Sequence, residues 1–80
     1  IQALTMLNSP FMMRMADEFS ARISERHTEL GEQVEQAYRD TFVRPPTSEE
    51  KARARAFAQE HSLSALCRVL LNSNEFLHLD

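Results

Sequence analysis

Apolar residues recur every three or four positions along most of this chain, and no stretch alternates with the two-residue rhythm of a strand. The pattern predicts helices throughout. A short opening helix covers Gln2 to Leu7, with Leu4 and Leu7 on one face. It must stop at Asn8-Ser9-Pro10, because Pro10 disfavours helical geometry at Ser9 and has no N–H to donate. The same residues start the next helix, with Ser9 as N-cap and Pro10 at the first helical position. That helix is expected to run to about His27, with Phe11, Met12, Met15, Phe19 and Ile23 inside and Arg14, Asp17, Glu18, Arg22, Glu25 and Arg26 outside.

The stretch from His27 to Gly31 holds a break, where the chain's single Gly is the natural left-handed residue closing a helix. A further helix uses Val34, Ala37, Tyr38 and Phe42 and ends before Arg44-Pro45-Pro46. Thr47-Ser48-Glu49-Glu50 then fits a capping box, in which Thr47 and Glu50 satisfy each other's backbone N–H groups. The helix it opens, Ser48 to about Glu60, carries Ala52, Ala54, Ala56 and Ala58 with Phe57 as its one large anchor. Small residues of this kind let helices approach closely. Ser62 or Ser64 caps a last and most apolar helix with Leu63, Leu66, Cys67, Leu70 and Leu71 inside and Val69 on its flank. The tail from Ser73 to Asp80 reads as a separate piece that docks Phe76, Leu77 and Leu79. Leu71-Asn72-Ser73-Asn74-Glu75-Phe76 also echoes Leu7-Asn8-Ser9-Pro10-Phe11, each following an apolar helix. The expected fold is all-α, a small orthogonal bundle of four to five helices.

Composition narrows what such a bundle can do. Eighty residues, 42% apolar and 26% charged, with one Gly and three Pro, make one small ordered domain over residues 1–80. A chain of this size has little room for a deep pocket, so a pocketed enzyme is not expected. Cys67 is the single cysteine, which excludes an internal disulfide and a multi-thiolate zinc site. Apolar runs are only a few residues long, so no membrane span is expected. A formal charge of −3 argues against a nucleic-acid partner. The chain starts at Ile1, so we expect a piece of a longer polypeptide, and Ile1 to Leu7 shows neither the basic region nor the small-residue cleavage site of a signal peptide.

Candidate chemistry is thin. His27, His61, His78 and Cys67 are the soft or borderline metal ligands, and no two share a face at a spacing of four, so neither metal nor cofactor is expected. The serines sit where caps are needed, and Cys67 belongs to an apolar face. Glu49 and Glu50 are better explained by capping and the helix dipole than by acid–base work. Arg44, Lys51, Arg53 and Arg55 form a local basic patch, expected to be a solvated face with some ion pairs. Among Phe11-Met12-Met13-Arg14-Met15, Met13 falls off the core stripe and is the candidate for contact with a missing neighbour.

Three segments together carry a resemblance. They are Gln2-Ala3-Leu4 through Leu7-Asn8-Ser9-Pro10-Phe11, Tyr38-Arg39 through Arg44-Pro45-Pro46-Thr47-Ser48-Glu49-Glu50, and Leu70-Leu71-Asn72-Ser73-Asn74-Glu75-Phe76-Leu77-His78-Leu79-Asp80. They resemble the C-terminal region of a planctomycete-type domain of unknown function. The resemblance implies a large exported bacterial protein, sometimes carrying a cytochrome-c-like domain upstream, with this piece as its carboxyl end. It supplies no catalytic residues. In that family a Gly tends to stand where this chain has Val43, and a β-branched residue is poor in left-handed geometry, so the helix ending there should lack a Gly-type cap.

The matching residues invite a structural role. Arg44, held extended by Pro45, is expected to reach helix-end carbonyls or a carboxylate such as Glu50 or Glu75, beside the Thr47 cap. Tyr38 would bury its ring and satisfy its hydroxyl nearby. Asn72, Asn74 and Glu75 would cap helix ends and fold the tail back, returning Phe76 to the core.

The expected function is therefore that of a non-enzymatic structural or interaction module, periplasmic or at the cell surface, packed against upstream domains of its own polypeptide. Two alternatives remain. One is a module recognising a protein or glycan through the Met13 and Arg14 region or the basic helix. The other is an accessory lobe of an upstream redox or hydrolytic enzyme.

Overall fold

The structure, a computed structural model, describes residues 9–79, with side chains as far as Ser73. Four helices account for it: α1 (Pro10–Arg26), α2 (Leu30–Phe42), α3 (Ser48–Glu60) and α4 (Leu63–Leu79). No strand occurs among the described residues, and the fold is a small all-α bundle. The predicted opening helix at Gln2 to Leu7 lies outside the described residues.

Local chemistry sets the starts. At α1 the Ser9 hydroxyl accepts the Met12 N–H at 3.1 Å and Pro10 occupies the first turn. At α3 the Thr47 hydroxyl accepts the Glu50 N–H at 3.1 Å, and the Glu50 carboxylate accepts the Thr47 N–H at 2.9 Å, which completes the capping box. At α4 the cap is Ser62, whose hydroxyl accepts the Ala65 N–H at 2.9 Å. Ser64, the other candidate, instead donates to the Asp17 carboxylate and ties α4 to α1.

Three local expectations need correction. Gly31 is not a left-handed terminator: it lies inside α2, and no Gly has a positive φ. His27 (φ −132°, ψ 128°) and Glu29 (φ −91°, ψ 138°) turn the chain in extended geometry, so no left-handed residue is required there. Val43 is the second correction. It closes α2 in left-handed geometry (φ 60°, ψ 30°), its N–H bonded to the Arg39 carbonyl at 2.9 Å, although its branched side chain opposes that conformation. The third is at Asn72. The last helix does not stop there but continues to Leu79, so Asn72 and Asn74 have no helix end to cap. Asn in a helix costs only tenths of a kcal/mol per residue, roughly, and an established helix passes through such residues.

The core lies where α4 meets α1, its most extensive contact, and where both meet α2. Ala16 and Ile23 of α1, Val34 and Ala37 of α2, Ala54 and Ala58 of α3, and Leu66, Cys67 and Leu70 of α4 form it. Tyr38, Phe42, Phe57, Leu63 and Leu71 pack around it, half-buried. The expected use of alanine holds at Ala54 and Ala58, which are buried, whereas Ala52 and Ala56 face solvent. On α1 the buried face is Met12, Ala16 and Ile23, while Phe11 is 61% exposed and Met15 37% exposed, outside the core that the spacing had assigned them. Met13, expected to stand off the stripe, is 43% exposed. Thr41 is buried, and among the described residues neither its hydroxyl nor the buried Asn72 side-chain oxygen has a hydrogen-bond partner. No helix among the described residues is long and apolar enough to cross a membrane.

Candidate functional site

The residues singled out around Arg44 converge on the turn between α2 and α3. Two prolines follow Arg44 and keep the chain out of helical geometry, so α2 must end and the backbone must swing round before Thr47 restarts it. That swing brings the Arg44 guanidinium over the first turn of α3. Nη1 donates to Glu50 Oε1 at 2.9 Å and Nη2 to Oε2 at 3.0 Å, a bidentate pair, while Nη1 also donates to the Pro45 carbonyl at 3.0 Å. Glu50 is thus a carboxylate that Arg44 takes, while the side chain of Glu75, the other one named, lies outside the described residues.

The Glu50 carboxylate has a double duty. Its two oxygens accept from Arg44 and one of them also from the Thr47 N–H, and the Arg44 bond foremost, then the Thr47 N–H, holds its pKa down at about 2. The partner effect on Arg44 is an upward shift from the same bond. Behind the pair, the guanidinium sits 5.9 Å from the centre of the Phe42 ring, which in turn lies 5.5 Å from the Tyr38 ring at a tilt of 47°. Tyr38 is half-buried. Burial, and after it the Glu50 charge, pushes its phenol pKa up, against the opposing charges of Arg44 and Arg53. Its hydroxyl, expected to be satisfied nearby, takes no hydrogen bond among the described residues and is not a buried unpaired group.

A second cluster, unforeseen from the sequence, braces α2 against α3. Glu35 receives Arg39 at 3.1 Å and Lys51 at 3.3 Å. These bonds, Arg39 first and Lys51 next, lower its pKa. Arg39 stands four residues after Glu35 on one helix, a pairing the sequence displays, whereas Lys51 reaches it only through the packing of the two helices. At the other end of α2 the Gln33 side chain donates to the His27 carbonyl at 2.8 Å and holds the first interhelical turn. His27 Nδ1 lies 3.8 Å from the Glu32 carboxylate.

Chemically, the Tyr38, Arg44, Thr47 and Glu50 group is a clasp. Its carboxylate accepts three hydrogen bonds, its guanidinium donates to that carboxylate and to the Pro45 carbonyl, and its Thr hydroxyl accepts a backbone N–H, so these three groups are committed to shaping the turn. Cys67 is completely buried, and burial pushes its thiol pKa up to about 12. No group of three His, Cys, Asp or Glu converges on a metal-sized space among the described residues. The side chains of Asn74, Glu75 and Phe76 lie outside the described residues, and their backbone belongs to α4. The clefts are shallow. One of about 390 Å³ opens beside α1, lined in part by Met15, Phe19, Thr41 and Leu71, and another of about 240 Å³ adjoins it at Arg26 and Gln36.

Comparison with known proteins returns one family, described as PSD1, Protein of unknown function (DUF1553), which matches residues 1–58. The match takes in α1, α2 and the clasp, and leaves the terminal segment Leu70 to Asp80 outside it. No curated protein and no solved structure matches.

Proposed function

The chain belongs to the family of proteins of unknown function DUF1553, and from that footing we propose that this domain is a non-enzymatic helical interaction module. In this reading it forms the carboxyl end of a larger exported bacterial protein and packs against that protein's upstream domains. The observation that carries it is the outer surface of α1, where Phe11, Met13 and Met15 stand 61%, 43% and 37% exposed. Three large apolar side chains within five residues of one helix are a surface that gains by being covered. Met13 lies two residues from Phe11 and so on the opposite flank of the helix, which gives the module two apolar edges.

The disposition of polar groups favours the same reading. The Thr47 and Ser62 hydroxyls serve as caps, Glu50 is held by Arg44, and the Cys67 thiol is sealed in the core. Placement at a carboxyl end and export rest on the resemblance carried by Leu70 to Asp80.

Oxidative footprinting of methionine tests the proposal. Met13 should be oxidised readily by peroxide in the 80-residue chain and several-fold more slowly in a longer natural polypeptide containing it. Equal oxidation of Met13 in the two contexts would overturn packing on upstream domains.

A further inference from the structure

We infer that the stripe of α1 running through Met15, Glu18 and Arg22 is the seam of an antiparallel pairing between two copies of this chain. The inference rests on reading α1 as an interaction surface and names the occupant of one flank. Phe11, Met15, Glu18 and Arg22 follow one another at spacings of four, three and four, which places them in a single stripe along the helix. Arg14 and Glu25 border the stripe on one side and Arg26 on the other. All seven side chains are exposed, and none of the five charged ones makes an ion pair among the described residues.

The order of the charges identifies the partner. Arg14, Glu18, Arg22 and Glu25 alternate in sign, so reversing the order of these four exchanges positive for negative. A two-fold axis level with Ser20 sets Glu18 opposite the partner's Arg22, and, by symmetry, Arg22 opposite the partner's Glu18. The same axis brings Arg14 within one residue, roughly 1.5 Å along the axis, of the partner's Glu25, on the same side of the seam. On the other side Met15 comes within one residue of the partner's Arg26, whose alkyl stem can cover the thioether. The cleft of about 390 Å³ beside Met15 and Arg22 leaves room for these side chains to adjust.

Other occupants fit less well. With Arg26 the five charges sum to only +1, so neither a strongly acidic nor a strongly basic partner is favoured, and a parallel pairing would set like charge against like. A self-complementary patch is what an isologous two-fold contact requires. Exposed ion pairs contribute little to affinity but penalise mismatched charge, so the pairing should be weak and specific.

Sedimentation equilibrium of the 80-residue chain tests this, with circular dichroism to verify that each variant is folded. The wild-type chain should show a concentration-dependent monomer–dimer equilibrium. Glu18→Arg and Arg22→Glu should each weaken it by about tenfold or more, because each sets like charges opposite one another twice. An equimolar mixture of the two single variants should associate again as a heterodimer, and the Glu18→Arg/Arg22→Glu double variant as a homodimer. The pairing is overturned by a chain that stays monomeric at every concentration, by a dimer that Glu18→Arg leaves unchanged, or by a mixture that associates no better than its components. Met13 lies off this seam, so its footprint reports separately. A monomeric chain whose Met13 is protected in the longer polypeptide would sink the pairing and leave the interaction module standing.

Discussion

Arg44 and Glu50 meet through two parallel hydrogen bonds of 2.9 and 3.0 Å, across a turn that neither of two successive prolines allows to become helix. The same carboxylate caps α3 by accepting the Thr47 N–H, so the loop is fastened and the helix begun by one side chain. Its exposure to solvent keeps the strength of the ion pair modest, and the capping bonds add to it.

The pH dependence of stability follows from this arrangement. Glu50 has its pKa depressed from an ordinary value of 4.5 to about 2 in the folded chain. The unfolded state therefore takes up a proton first as the medium is acidified, and the contribution of Glu50, fully present above about pH 4.5, is lost as pH falls toward 2. Glu50→Gln keeps a side chain able to cap but removes the charge. Thermal melts between pH 6 and 2, roughly, should fall less steeply for the variant than for the wild type. Identical slopes would show that the clasp carries no pH-dependent stability.

Val43 offers a test of opposite sign. Its left-handed backbone costs about 1 kcal/mol or more for a β-branched residue, and at 88% exposure its side chain recovers little by packing. Val43→Gly should raise stability by about 0.5 to 1 kcal/mol after the added freedom of the unfolded chain is subtracted, read as a higher urea midpoint at unchanged slope. A lowered midpoint would mean that the valine makes contacts worth more than its strain.

Cys67 should behave as a reporter of unfolding. Completely buried, with its thiol pKa pushed up to about 12, it offers neither access nor thiolate at neutral pH. Modification by a disulfide reagent should be negligible in the native chain and should rise with urea along the same curve as the loss of helix. Rapid labelling without denaturant would show that α4 opens locally.

The helices were legible because their boundaries are written in local chemistry. Ser9-Pro10, the Thr47 to Glu50 box and Ser62 each satisfy backbone groups with side chains a few residues away, and each acts where expected. The Arg44 clasp was legible in part: prolines fixed the turn, and Glu50 was one of the carboxylates within reach. What local reading missed was decided by tertiary structure. Nothing near Lys51 in sequence announces Glu35, and Ser64 looks like a cap until Asp17 is brought to it by the packing of α4 on α1. Gly31 and Asn72 misled for the converse reason: residues that favour helix ends do not enforce them, and the extended His27 and Glu29 on one side and the unbroken α4 on the other leave neither with an end to make.

Alanine at positions 16, 37, 54, 58 and 65 supplies much of the buried core. Helices held together this way gain contact by closeness, and each exposes little hydrocarbon to water when they separate. Heat capacity of unfolding and sensitivity to denaturant both scale with newly wetted surface. The domain should therefore unfold over a wide range of temperature and urea, with a shallow stability curve that changes little between a cold and a warm environment.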